Sequence, residues 1–192
     1  MDAALLVPRI LAGDSRAYAE VVRTYQHMVY TVCHRVLRNS EDAEEATQDS
    51  FVKAYQNLHS FGGTAKFSTW LYSIAYRTAI SHDRSRKAAS RRTDDRAAED
   101  LLQHPASPRD TSVDRNDIKQ HLDLALATLD PEDAAIVSFY YLEEMSVEEI
   151  VTVTGLGASN VKVKLFRSRK KLSDALQRSL GPEAATLLLD HA

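Results

Sequence analysis

YLEEMSVEEIVTVTGLGASNVKVKLFRSRKKL, residues 141–172, reads as two helices and the turn between them. SVEE, from Ser146 to Glu149, matches the capping box, in which a serine and a glutamate three residues on satisfy each other's free backbone N–H groups. The short helix it starts ends near Thr154. Gly155, Leu156 and Gly157 make the turn, and Ser159 is placed to cap a last long helix running to about Ser179. At about 100° per residue, Val161, Leu165, Ser168 and Leu172 form one packing stripe on that helix. The opposite side carries Ser159, Lys162, Val163, Phe166, Arg167 and Lys170, with Asn160 beside them, so two apolar side chains sit among cations and face away from the core. A solvated surface seldom needs a phenylalanine there.

A short capped helix, a glycine turn and a basic helix form the helix-turn-helix arrangement, whose second helix enters the major groove of DNA. Lysine and arginine bond guanine edges or phosphates there, and valine or phenylalanine touches thymine methyls. The same residues also fit a basic solvated helix that closes a bundle, so the motif needs support from the rest of the chain.

Upstream, Asp130-Pro131 is an N-cap followed by proline at the first helical position, and Ile118, Leu122, Leu126 and Leu129 keep helical spacing. Before them the pattern collapses. RRTDDRAAEDLLQHPASPRDTSVDRN is polar, includes Pro105 and Pro108, and reads as a flexible linker. Earlier still, Tyr18, Val21, Val22, Tyr25, Val29, Val32, Val36 and Leu37 mark one amphipathic helix from about Ser15 to Leu37. Asn39 and Ser40 break it, and Ser40 caps a second helix to about Asn57, with Glu41 and Asp42 at the positive end of its dipole. HSFGGTAKF then leads to a third helix starting near Ser68, with Phe67, Leu71, Ile74, Ala75 and Thr78 on its buried side. The expectation is an all-α chain with two small helical domains, at 1–90 and 117–180, joined by a linker at 91–116 and followed by a tail at 181–192.

Two further surfaces stand out. On the third helix Trp70, Arg77 and Arg84 are spaced by seven and line one stripe, which Arg86 and Lys87 extend. Arginines interleaved with aromatics suit an unpaired strand, where cations track phosphates and rings stack on bases. The ordinary alternative is a core tryptophan with solvated arginines. On the second helix Asp42, Glu45 and Asp49 share a side opposite Thr47, Phe51, Ala54 and Leu58. That acidic stripe suits a basic protein surface or simple solvation better than a metal, because carboxylates three and four apart on one helix point outward and need ligands from elsewhere.

The net charge of −3 conceals segregation: residues 41–50 hold five acids and no base, and residues 161–171 hold six bases and no acid. Two partners of opposite charge are expected. Neither an HExxH motif nor a Cys-His cluster occurs, so no metal and no cofactor is expected. The single cysteine, Cys33, suits a core position in a reducing cytoplasm. Asp2, Pro8 and Arg9 spoil a signal-peptide pattern, and no run approaches the roughly 18 apolar residues that a membrane span needs, so membrane insertion is not expected.

Taken in order, DAEEATQDSF (42–51), FSTWLYSIA (67–75) and the 141–172 segment resemble the extracytoplasmic-function (ECF) sigma factors of bacterial RNA polymerase over nearly the whole chain. The resemblance implies a non-enzymatic alternative sigma factor that binds core RNA polymerase, recognises the minus 10 and minus 35 elements of promoter DNA and opens the duplex without ATP. By position it implies that Asp42, Glu45, Gln48 and Asp49 contact the coiled coil of the largest polymerase subunit. Phe61 and the loop through Lys66 would form a pocket for a flipped base, beside Trp70, Arg77, Arg84 and Arg86. Ser159, Asn160, Lys162, Val163, Phe166, Arg167 and Lys170 would read the minus 35 element. An anti-sigma factor, held at the same acidic and basic surfaces, is a further partner that the resemblance allows. Arg77 and Ser81 stand where many members have asparagine and aspartate, and Tyr140 stands where some have a DNA-contacting arginine. The chain also lacks the N-terminal and middle regions of housekeeping members and ends soon after the segment that resembles region four, so no large appended sensory domain is expected. A free-standing helix-turn-helix regulator is the alternative, but it leaves the acidic helix without a purpose and usually needs a dimer. A carboxylate-metal hydrolase would need an enclosed ligand set.

Overall fold

The computed structural model describes residues 3–92 and 115–180, all in helices and connecting turns. After a 3-10 turn at Ala3–Leu6, α1 (Val7–Leu11) buries Val7 and Ile10. Pro8 stands in its first turn, where a proline has no helical hydrogen bond to lose. The long helix α2 spans Ser15–Leu37, capped by Asp14, whose carboxylate accepts from the Arg16 and Ala17 N–H groups at 3.0 and 3.1 Å. α3 spans Ser40–Gln56. Its cap is Asn39 rather than Ser40: the Asn39 side chain accepts from the Asp42 N–H, and Ser40 is already helical.

α4 (Phe67–Arg92) packs against α2 and α3 to complete the first bundle. Phe67, Leu71, Ala75 and Thr78 are buried as expected, and Ile74 is half-buried. Cys33 is fully buried between α2 and α3, and burial pushes its thiol up to about 11, which keeps it an inert core residue. The expected linker falls almost wholly outside the described residues, as does the tail at 181–192; the flanking helices run to Arg92 and from Arg115.

The second bundle is α5 (Arg115–Ala127), α6 (Pro131–Tyr141), α7 (Val147–Thr154) and α8 (Ala158–Leu180). Asp130 has the extended backbone of a cap but makes no side-chain cap bond. The capping box at α7 is complete: the Glu149 N–H donates to Ser146 Oγ at 3.1 Å and the Ser146 N–H to a Glu149 carboxylate oxygen at 3.0 Å. Gly155 closes α7 at φ 76°, a left-handed conformation in which a side chain would be strained. Ser159 is not the cap of α8; it lies inside the first turn, while the Gly157 carbonyl accepts from the Val161 N–H at 3.0 Å.

Val161, Leu165, Ser168 and Leu172 form the buried stripe of α8. The Ser168 hydroxyl makes no hydrogen bond, which wastes a polar group in the core. Ser168→Ala is therefore expected to raise stability by about 1 kcal/mol, combining relief of the unpaired hydroxyl with better helix propensity; a urea midpoint at or below that of the parent protein would contradict this.

Candidate nucleic-acid interface

All seven residues assigned to the outer side of α8 are exposed: Ser159, Asn160, Lys162, Val163, Phe166, Arg167 and Lys170. Phe166 is 76% exposed, so its ring contributes little to the packed core. Lys164, also in the basic run, serves a different purpose. Its ammonium is partly buried and bonded to Glu132 at 2.8 Å and Asp133 at 2.7 Å, both in the first turn of α6. Burial works against the ammonium, yet these two carboxylates raise its pKa, so it stays charged and ties α8 to α6. The helix is held from its inner side while its outer side stays open.

The turn after α3 and the start of α4 enclose an open cavity of ≈ 580 Å³. Phe61, the Gly62–Ala65 loop, Trp70 and Arg77 line it, with Lys53 and Asn57 from the last turn of α3. Phe61, Phe67 and Trp70 form a ring cluster with centroids 5.3 to 5.6 Å apart, which stiffens this wall. Aromatic faces beside an arginine and a lysine can stack an unpaired base and hold its phosphate. Of the residues expected at this site, the structure brings Phe61, Trp70 and Arg77 together. Lys66 sits just beyond the lining and pairs with Glu149 at 3.1 Å; Arg84 lies further along α4 and is exposed.

Arg86 is placed differently from the expectation. It bonds Asp42 at 3.0 Å and Asp83 at 3.4 Å, on the α3 side of the bundle. Asp49 pairs likewise with His82 at 3.0 Å. Two of the four acids and amides expected to face a partner are thus turned toward α4, whereas Glu45 and Gln48 are exposed. Val52 and Tyr55, 54% and 50% exposed, continue that outward face one and two turns on. Lys53, Asn57 and His82 were not singled out from sequence. The first two sit directly before the Gly-Gly loop, a placement that could have flagged them; nothing local marks His82. Among the described residues no group of three or more His, Cys, Asp or Glu is placed to hold a metal ion, and no helix is long and apolar enough to cross a membrane.

Comparison with known proteins agrees with this arrangement. The family model "Sigma-70 region 2" matches residues 21–89 and "Sigma-70, region 4" matches residues 119–172. The RNA polymerase sigma-H factor of Pseudomonas aeruginosa is 31% identical, over 90% of this chain and 92% of its own length. The ECF RNA polymerase sigma-E factor of Escherichia coli K12 is 30% identical, over 90% of this chain and 93% of its own. Among solved structures, the sigma factor RpoE in complex with the anti-sigma factor NepR from Bartonella quintana has a similar fold, with TM-score 0.67 and 19% identity over 83% of this chain and 96% of that one. With both sigma-70 regions in order and full-length relatives at this identity, the chain belongs to the extracytoplasmic-function sigma factors of the sigma-70 family.

Proposed function

We propose that the three surfaces divide the work of promoter selection: the outward face of α3 docks core RNA polymerase, the cavity at Phe61 and Trp70 receives an unpaired base of the minus 10 element, and the outer side of α8 reads the minus 35 element. The protein is an alternative sigma factor that directs promoter-specific transcription, and these assignments say which residues carry each step. The observation that weighs most is the cavity. It combines two aromatic rings, a glycine loop and Arg77 in one place, and its ≈ 580 Å³ accommodate a flipped base. The protein works in the cytoplasm with no catalytic centre of its own: binding energy from stacking and phosphate contacts offsets the few kcal/mol that unstacking costs. An anti-sigma protein that covers the acidic and basic faces is a further expected partner. Promoter-dependent transcription from core polymerase plus the purified chain tests the whole reading, and absence of a transcript on every promoter of the host sinks it.

Two narrower outcomes are expected. Arg167→Ala weakens minus 35 binding by about 1 to 3 kcal/mol if the guanidinium reads a base, and less selectively if it holds a phosphate; mobility shifts on a site series separate the two. Glu45 is the better probe of the acidic face than Asp49, because it is exposed and makes no ion pair among the described residues. Glu45→Lys is expected to weaken core binding by about 1 to 2 kcal/mol, roughly tenfold, with the helix content unchanged by circular dichroism.

A further inference from the structure

The cavity beside Phe61 is positive and poor in strong acceptors. Lys53 of α3 and Arg77 of α4 both line it, and no aspartate or glutamate stands among the described residues of its wall. The Lys53 ammonium donates to Thr78 Oγ1 at 3.3 Å, which holds it against α4 one residue past Arg77. Arg77 itself is exposed and makes no hydrogen bond or ion pair among the described residues. Later cations of the same helix are already engaged: Arg86 with Asp42 and Asp83, and Lys87 with Asp83. Neutral polar groups on the wall have spent their protons on backbone. Ser60 and Ser73 donate to the Asn57 and Trp70 carbonyls, each at 2.7 Å, and the Asn57 amide donates to the Lys53 carbonyl at 2.8 Å. They offer a ligand only uncharged oxygen, and bonds to such groups are roughly half as strong as those from a guanidinium. A captured base therefore meets strong donors and weak acceptors. Guanine carries two adjacent acceptors, O6 and N7, matched to the paired N–H groups of an arginine. Adenine and cytosine present an amine on the same edge, which would face those donors, and thymine has one carbonyl with a methyl beside it.

We propose that Arg77 makes the cavity selective for guanine: its guanidinium takes O6 and N7 of the captured base while Phe61 and Trp70 supply the stacking surface. The selectivity rests on the reading of this cavity as the seat of an unpaired base, and adds which base it takes. Phe61 and Trp70 are half-buried, braced by Phe67, and both line the cavity. Stacking accepts the flat face of any base, so the rings hold a base without choosing it. Choice falls to the edge, and Arg77 is the unengaged side chain there with two parallel donors. Lys53 has a second part. Held by Thr78, its ammonium keeps the wall positive, which disfavours an inward-facing amine and attracts the phosphate next to the base. A lysine in place of Arg77 would supply the charge without the planar fork. A bidentate contact of this kind discriminates against the wrong base by roughly 5- to 150-fold.

The test uses holoenzyme formed from core polymerase and the full chain, titrated with short fluorescent single-stranded oligodeoxycytidines that carry one central guanine, adenine or thymine, or cytosine throughout. The guanine oligomer is expected to bind roughly 5- to 150-fold more tightly than the other three. Inosine, which keeps O6 and N7, should preserve that affinity, and 7-deazaguanine, which lacks N7, should lose several-fold. Arg77→Lys is expected to bring all four bases to within about twofold of one another while the all-cytosine oligomer binds as before, because the charge stays and the fork goes. The position is exposed, so the fold is not at stake. Parent affinities within about twofold for all four bases overturn the proposal, as does a preference for another base or a guanine preference that survives in Arg77→Lys. An equal loss for every base in Arg77→Lys overturns it too, by placing the guanidinium on a phosphate. Trp70→Ala separates this from the reading beneath it: if no oligomer binds more weakly, the cavity is not the seat of a base. A stacking loss shared by all four bases, with no guanine preference in the parent, removes only the choice of guanine.

Discussion

Replacing Phe139 by alanine is expected to lower the stability of the chain by about 3 to 5 kcal/mol, the range for removing a fully buried phenylalanine from a packed site. The ring is 1% exposed and meets Tyr72 and Tyr76 edge-on, so truncation leaves a cavity at the junction of the two bundles and forfeits two aromatic pairs. Both tyrosine hydroxyls are held protonated well above their ordinary range by burial, and Tyr72 also by its bond to Glu143, so no ionisation compensates for the loss. Urea denaturation followed by circular dichroism gives the value. A fall of less than about 1 kcal/mol would mean that the two bundles rearrange freely around the gap.

Trp70→Ala is expected to slow promoter opening by roughly 30- to 700-fold, about 2 to 4 kcal/mol. Two losses combine: the stacking surface for the captured base, worth about 1 to 3 kcal/mol, and the ring contacts that hold the cavity wall, worth about 0.5 to 1.5 kcal/mol per pair. Trp70 touches both Phe61 and Phe67, so its removal also loosens the loop that follows Phe61. Permanganate reactivity of unpaired thymines at a promoter measures opening directly. Core binding should stay near its parental value, because the outward face of α3 lies on another side of the bundle; an equal loss of both would place Trp70 in the fold rather than at the strand.

Local chemistry made most of the helices readable in advance. The bounds of α2 agree with the periodicity of Val21, Val29, Val32 and Val36, and the capping box at Ser146 is present with both of its bonds. Faces were readable for the same reason: Val161, Leu165, Ser168 and Leu172 are buried and Phe166 is not. What escaped depends on residues far apart in sequence. Arg86 looks like a free cation until Asp42, 44 residues away, is folded beside it. Lys164 looks like part of a DNA-binding run until Glu132 and Asp133 come against it, and nothing near Lys66 announces Glu149. Caps were misread by one residue where two capping types adjoin, as at Asn39-Ser40, because either side chain could serve and only the backbone angle decides.

The separation of the two sides of α8 bears on how such a protein changes over generations. Anchoring is assigned to Val161, Leu165, Leu172 and the Lys164 pair, and none of these positions is on the outer side. Substitutions at Lys162, Val163, Phe166 or Arg167 therefore cost the fold little, since exposed positions usually shift stability by no more than about 0.5 kcal/mol. If the outer side of α8 selects the promoter as proposed, a duplicated copy of this gene can drift to new promoters through those few codons while keeping its scaffold and α3 unchanged, so divergence in target choice need not pass through unstable intermediates.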